Sequence, residues 1–270
     1  MKRISGLIGR DISYSLSPAM HNKALDKLGI DAVYLLFDLE KDNLPDFLRI
    51  MIDVGALGFN VTIPYKEVIM ELIDHIDSDA AGVRAVNTLI LLNNKWYGYN
   101  TDIYGIERSF ENANVNLKDK IVGIFGTGGA SKAAVYSILK QEAKVWVMGR
   151  KPEKIAEFSR LYDVETIAWT EDLPYFDVLV NATPLGKGSI GMPPLPKEQD
   201  FIGKAFFDMV YSPVYTPFLI EAKKKGGVVI SGIDMLLYQG VKAFELIFNN
   251  EPPVEDMRQG LLEATEQLLK

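Results

Sequence analysis

Ile121-Val122-Gly123-Ile124-Phe125-Gly126-Thr127-Gly128-Gly129-Ala130-Ser131 is the stretch whose reading decides the fold. An apolar run, a glycine-rich turn and a helix-compatible segment from Lys132 to Lys140 follow one another in that order. Gly126, Thr127, Gly128, Gly129 and Ala130 would let backbone amides and the positive end of a helix approach a pyrophosphate, which bulkier side chains would obstruct. Ser131 stands where the dinucleotide fingerprint has glycine or alanine. A glycine-rich string alone also reads as a tight turn; its place between strand and helix favours dinucleotide binding.

Working outward, short apolar runs at 145–148, 178–181, 205–208 and 228–231 continue the rhythm of a nucleotide-binding sheet. In the first half, 4–8, 33–38 and 58–62 read as strands and 18–28 and 44–54 as helices. Ser17 before Pro18 is a helix entry, the hydroxyl capping open amides. Runs at 88–92 and 96–99 flank Asn93 and Asn94, which tolerate positive φ, and predict a hairpin, with a helix starting near Thr101. From Ile233 onward apolar residues recur at helical spacing, and Leu261, Leu262, Leu268 and Leu269 repeat the pattern, so two helices close the chain. The loop 184–196, rich in glycine and proline, has the length of a lid over a site. The fold class is α/β: an N-terminal substrate domain at 1–101, a Rossmann-type domain at 102–232, and C-terminal helices at 233–270 returning to the first.

The 270 residues are 48% hydrophobic and carry 29 basic against 36 acidic side chains, a net charge of -7. That balance offers no footprint for nucleic acid. The chain has no cysteine, which excludes thiolate catalysis and disulfide frameworks. Gly6, Gly9, Arg10 and Asp11 break the N-terminal apolar stretch before a signal-peptide core forms, and no segment reaches membrane-span length. No membrane partner and a cytoplasmic location are the expectation.

An NAD site usually ends its second strand in a carboxylate. Here the strand ends in Gly149, Arg150, Lys151, Pro152, Glu153 and Lys154. Arg150, Lys151 and Lys154 stand where the 2′-phosphate of NADP would lie, although such a charge run also reads as a solvated helix start.

Three strings combine unusual turns with polar groups at strand ends: Ser15-Leu16-Ser17-Pro18-Ala19-Met20-His21-Asn22, Gly58-Phe59-Asn60-Val61-Thr62-Ile63-Pro64-Tyr65-Lys66 and Gly98-Tyr99-Asn100-Thr101-Asp102-Ile103-Tyr104-Gly105. Ala85-Val86-Asn87-Thr88-Leu89 lies between the last two. Together with Asn181-Ala182-Thr183-Pro184-Leu185-Gly186, with Asp208-Met209-Val210-Tyr211 and Thr216-Pro217, and with Gly232 through Met235 to Gln239, they resemble the shikimate dehydrogenase family over nearly the whole chain. Gly149 for asparagine, Lys151 for threonine and Arg84 before Ala-Val-Asn-Thr are the departures.

The resemblance implies an NADP-dependent oxidoreductase that reduces 3-dehydroshikimate to shikimate, on the pathway to chorismate and the aromatic amino acids. It implies that Ser15 and Ser17 hold the substrate carboxylate, and that Thr62, Asn87, Asp102, Tyr211 and Gln239 hold its hydroxyls and carboxylate. It adds Thr183, Met209, Gly232 and Met235 to the cofactor contacts. Lys66 and Asp102 form the expected catalytic pair. Lys66, at an apparent helix start, protonates the alkoxide that follows hydride transfer, and Asp102 orients it or the adjacent hydroxyl. The cofactor supplies the redox chemistry, so no metal is required. His21 reads as a buried hydrogen-bonding residue. A monomer or homodimer acting on a small molecule is expected. Two rivals are a quinate/shikimate dehydrogenase using NAD, which the cations after Gly149 disfavour, and a silent NADP sensor, which would have lost Lys66 or Asp102.

Overall fold

The computed structural model describes residues 2–169, 172–188 and 191–268, so Met1, Thr170, Glu171, Ser189, Ile190, Leu269 and Lys270, together with the side chains of residues 266–268, lie outside the described residues. The chain divides into two compact units, Met1–Thr101 with Gln239–Lys270, and Asp102–Tyr238.

The first unit opens with β1 (Arg3–Gly9), α1 (Ser17–Leu28), β2 (Ala32–Asp38), α2 (Leu44–Asp53) and β3 (Gly58–Val61). It continues through β4 (His75–Ile76), α3 (Ser78–Val83), β5 (Thr88–Leu92) and β6 (Lys95–Tyr99). The sheet order is β2-β1-β3-β5-β6-β4. Strands β1, β2 and β3 are parallel, whereas β5 runs antiparallel to both β3 and β6. The β5–β6 turn is the hairpin read from the sequence, with Asn93 at φ 51° and Asn94 at φ 60°. Two positive φ values suit the twist of such a turn, and asparagine accepts them at low cost. Phe59 lies at the centre of this unit's core, its ring 5.2 Å from Phe47, 5.5 Å from Phe37 and 5.8 Å from Trp96. Ile8, Leu48, Val61 and Leu89 close around it. Truncating such a ring to alanine costs about 3–5 kcal/mol.

The second unit contains α4 (Asp102–Asn112), β7 (Ile121–Phe125), α5 (Gly129–Lys140), β8 (Lys144–Gly149), α6 (Pro152–Tyr162) and β9 (Glu165–Ala168). Next come β10 (Val178–Asn181), β11 (Ala205–Asp208), α7 (Pro217–Lys224) and β12 (Val228–Ser231). The order β12-β11-β10-β7-β8-β9, parallel throughout, is that of a Rossmann sheet, with its switch point between β7 and β10. The described residues between β10 and β11 contain no helix or strand. Phe201, fully buried and 4.7 Å from the Phe206 ring, packs this loop onto the core. Helix α8 (Gly232–Phe248) is shared: residues through Tyr238 group with the second unit, and Gln239 onward with the first. The final helix, α9 (Val254–Leu268), packs on α1.

Strand β9 and helix α3 were not read from the sequence. Glu165–Ala168 is short and without fully buried residues, and Ser78–Val83 is too brief for a helical period to emerge. Asp77 starts α3 by accepting the Asp79 amide at 2.9 Å.

Candidate active and cofactor site

In the first unit the strings quoted above converge through their main chains. Val61 N donates to Asn87 O at 2.8 Å, Val86 N to Lys66 O at 2.8 Å, and Asn87 N to Tyr99 O at 3.0 Å. Asn87 is therefore tied at once to the β3 end and to the β6 end. Its side-chain oxygen accepts from Thr101 N at 2.7 Å, from the Thr88 hydroxyl at 3.0 Å and from the Thr101 hydroxyl at 3.2 Å. Those donors fix which way the amide points.

A neutral chain of hydrogen bonds extends from this group to Tyr34, beside the serines. Ser15 Oγ donates to Ser17 Oγ at 3.2 Å, and the Ser17 side chain lies close to the buried Tyr34 hydroxyl. Tyr34 Oη donates to Asn60 Oδ1 at 2.8 Å, and Asn60 Nδ2 donates to Thr88 Oγ1 at 3.0 Å. Tyr34 and Thr88 were not singled out as functional from the sequence. Thr88 lay in a quoted string, whereas nothing local marks Tyr34, which occupies an ordinary strand position.

Three sequence expectations change here. Ser17 is the first residue of α1 and makes no cap; instead the Ser17 amide donates to Ser15 Oγ at 3.3 Å, so Ser15 serves the helix entry. Lys66 does not begin an α-helix. It precedes a 3-10 turn, Val68–Glu71, whose four residues are too few to present the dipole of a helix end. His21 is not a hydrogen-bond donor. It is wholly buried, neither ring nitrogen has a partner, and its ring stacks on Tyr34 at 4.2 Å with an interplanar angle of 5°. Burial pushes its pKa down to about 3, which keeps the imidazole neutral.

The second unit presents the glycine-rich turn between β7 and α5. Gly126 has φ 119°, and a Cβ there would sit 2.8 Å from both Ala182 O and Ser131 Oγ. Ser131 is fully buried with an unpartnered hydroxyl, so a small side chain is what this close helix–strand approach demands. Gly128 and Gly129 behave differently: a Cβ on either would meet nothing within 4 Å, which leaves the α5 N-terminus open to approach. Backbone amides, a helix N-terminus and an uncrowded approach fit the pyrophosphate of a dinucleotide. Gly149 ends β8, where a Cβ would lie 2.8 Å from Thr127 Cγ2 and 3.0 Å from Ile155 Cγ1. The departure from asparagine thus coincides with a crowded strand end.

Arg150, Lys151 and Lys154 are exposed. Lys154 pairs with Glu157 at 3.0 Å, and Glu157 also meets the almost fully buried Lys132 at 3.4 Å. These lysines hold the Glu157 carboxyl below its usual range, with the Lys154 hydrogen bond the largest cause. On the far side of the switch point, Thr183 donates through N and Oγ1 to Asn181 Oδ1 at 3.0 and 2.6 Å. Met209, Tyr211, Gly232 and Met235 also belong to this unit; Gly232 packs so tightly that a Cβ would lie 2.6 Å from Val210 O. Asp102 begins α4, and Gln239 is the first residue that groups with the opposite unit. Among the described residues no helix is long and apolar enough to cross a membrane.

Comparisons with known proteins bear on the family and the fold. A family model described as the shikimate dehydrogenase substrate binding domain matches residues 7–89, and one described as the shikimate 5'-dehydrogenase C-terminal domain matches residues 232–262. The NADP(+) shikimate dehydrogenase of Archaeoglobus fulgidus is 41% identical over 268 residues, covering 96% of this chain and 97% of its own. The crystal structure of Thermus thermophilus shikimate 5-dehydrogenase in complex with NADP(H) and shikimate matches at a TM-score of 0.87 with 30% identity, covering 97% of this chain and 99% of that one. Quinate dehydrogenase from Corynebacterium glutamicum, in complex with NAD, matches at 0.89 with 28% identity and the same coverage. By its sequence over nearly full length and by the architecture of both units, the chain belongs to the shikimate dehydrogenase family.

Proposed function

We propose that the protein catalyses the NADP-dependent, reversible reduction of 3-dehydroshikimate to shikimate. The observation that carries the assignment of roles is the Asn87 junction, which joins the strings bearing Thr62, Lys66 and Thr101 through the main chain. A polyhydroxylated ring acid asks for many neutral donors and acceptors, because each buried hydroxyl left unpaired costs about 1–3 kcal/mol. Ser15 and Ser17 take the carboxylate, with Tyr211 and Gln239 completing the ring's contacts. Thr62, Asn87 and Asp102 hold the hydroxyls.

NADPH, when bound, supplies the hydride to the C3 carbonyl. Lys66 then delivers a proton to the oxygen at C3, and in the reverse direction removes it. Asp102 accepts a hydrogen bond from the neighbouring hydroxyl and so orients the ring. Gly126, Thr127, Gly128, Gly129 and Ala130 would hold the pyrophosphate. Gly149, Arg150, Lys151 and Lys154 would hold the 2′-phosphate, and Thr183, Met209, Gly232 and Met235 would hold the nicotinamide half.

Residues 1–101 with the C-terminal helices form the substrate domain in this reading, and the intervening Rossmann unit holds the cofactor. Both ligands are dissolved metabolites, so we place the enzyme in the cytoplasm, working as a monomer or homodimer. The reading is tested by following reduced-nicotinamide absorbance with shikimate and quinate against NADP and NAD. Shikimate with NADP should give the highest kcat/KM. A preference for quinate with NAD would favour the first rival, and binding of NADP without turnover would favour the sensor.

A further inference from the structure

Strands β10 and β11 end side by side, with Asn181 and Asp208 in register, and each hands over to a loop carrying proposed ligand contacts. Asp208 is fully buried, and both its carboxylate oxygens are engaged. Oδ1 accepts from Asn181 Nδ2 at 2.9 Å and from Val210 N at 3.0 Å, while Oδ2 accepts from Thr216 Oγ1 at 2.5 Å. Asn181 extends the network: its Oδ1 holds both Thr183 N and the Thr183 hydroxyl, and its Nδ2 also reaches Leu185 O at 2.9 Å. The Thr216 hydroxyl in turn caps α7 by accepting Leu219 N at 3.4 Å. One carboxylate therefore connects the start of the Thr183 loop, the Met209–Tyr211 segment and the first turn of α7.

Its position in the sheet says which half of a dinucleotide it would serve. The cations after β8 lie on one side of the switch point, and Asp208 lies on the other, at the end of β11. In a Rossmann sheet the adenosine half occupies the first side and the nicotinamide half the second. We propose that Asp208 is a positioning residue that holds the Thr183 loop and the Met209–Tyr211 segment in the arrangement that seats the nicotinamide half of the cofactor.

A carboxylate suits this role because three donors converge on two acceptor oxygens. An asparagine could keep its oxygen toward Asn181 and Val210, but it would turn an amide against the Thr216 hydroxyl and disturb that link alone. Asp208→Asn and Thr216→Val thus remove one link without changing size, whereas Asp208→Ala removes all three.

The proposal rests on the function proposed above, and a binding measurement separates the two. Calorimetric titration of wild type, Asp208→Asn and Thr216→Val with NADP and with 2′,5′-ADP compares the whole cofactor with a fragment that lacks nicotinamide. We expect NADP affinity to fall about three- to tenfold and 2′,5′-ADP affinity to stay level, with kcat for dehydroshikimate reduction falling about tenfold, since a small misplacement of a bound reactant is costly. An unchanged ratio of the two affinities, whether both ligands bind as in wild type or both weaken together, overturns the proposal. A wild-type protein that binds NADP without reducing dehydroshikimate removes the activity reading, while the ratio still decides the role of Asp208.

Discussion

In the first unit, hydrogen bonds run from Tyr34 through Asn60 and Thr88 to Asn87 and Thr101 without a formal charge. In the second, a buried carboxylate at Asp208 organises the strand ends, and three exposed cations follow β8. The neutral network keeps its polarity at any ordinary pH and salt. The charged one depends on protonation and screening. The difference matches the proposed ligands, a hydroxylated ring on one unit and a phosphorylated dinucleotide on the other.

Lys66 is the one charged residue among the site residues proposed in the first unit, and replacing it should break the comparison most severely. Lys66→Met is expected to lower kcat about a hundredfold or more, with substrate affinity much less changed, as for loss of a general acid. Single-turnover kinetics with a direct substrate titration checks both parts. Near-normal turnover would leave Lys66 a binding or surface residue.

The buried titratable groups should give the units opposite responses to acid. Burial lowers His21 from 6.5 to about 3, so as pH drops below the unfolded value the unfolded chain takes up a proton that the folded chain refuses, and stability falls. Burial is also the main cause that raises Asp208, from 3.8 to about 6, against the hydrogen bonds that lower it. Across that window the folded chain takes the proton first, so Asp208 works against the acid loss. Urea unfolding at about pH 7 and about pH 5 should show a smaller acid loss in His21→Leu than in wild type and a larger one in Asp208→Asn. Identical losses in all three proteins would mean that neither group governs the acid response.

Arg150 tests the exposed side of the comparison. Arg150→Asp sets a carboxylate against the 2′-phosphate and should shift the NADP-to-NAD ratio of kcat/KM toward NAD by about tenfold, a modest factor because the residue is exposed and screened. Added salt should shrink the wild-type preference for NADP. A ratio that ignores both the mutation and salt would make these cations a solvated helix start.

The smallest expected effect lies in the backbone leading to Asn87. Arg84 has φ 58° at the end of α3, a conformation that glycine adopts without the steric cost of a side chain. Arg84→Gly is expected to stabilise the protein by up to about 1 kcal/mol, with the gain moderated by the added entropy of the unfolded chain. A denaturant midpoint that moves down would show that the arginine side chain contributes more than its conformation costs.

The glycine-rich turn after β7, the parallel strands β7, β8, β10, β11 and β12, the Asn93-Asn94 hairpin and the two closing helices were all legible in the sequence. Each depends on short-range chemistry: glycine at a close approach, asparagine at positive φ, apolar residues at one period. The quoted strings likewise carried the family resemblance. Tertiary structure alone assigned the helix entry to Ser15 instead of Ser17, put a 3-10 turn after Lys66, and left His21 stacked without a hydrogen bond. It alone joined Tyr34 to Asn60, 26 positions apart, and Asn181 to Asp208, 27 positions apart. Such pairings depend on which strand ends become neighbours and on which polar groups burial forces to share donors, and spacing along the chain encodes neither.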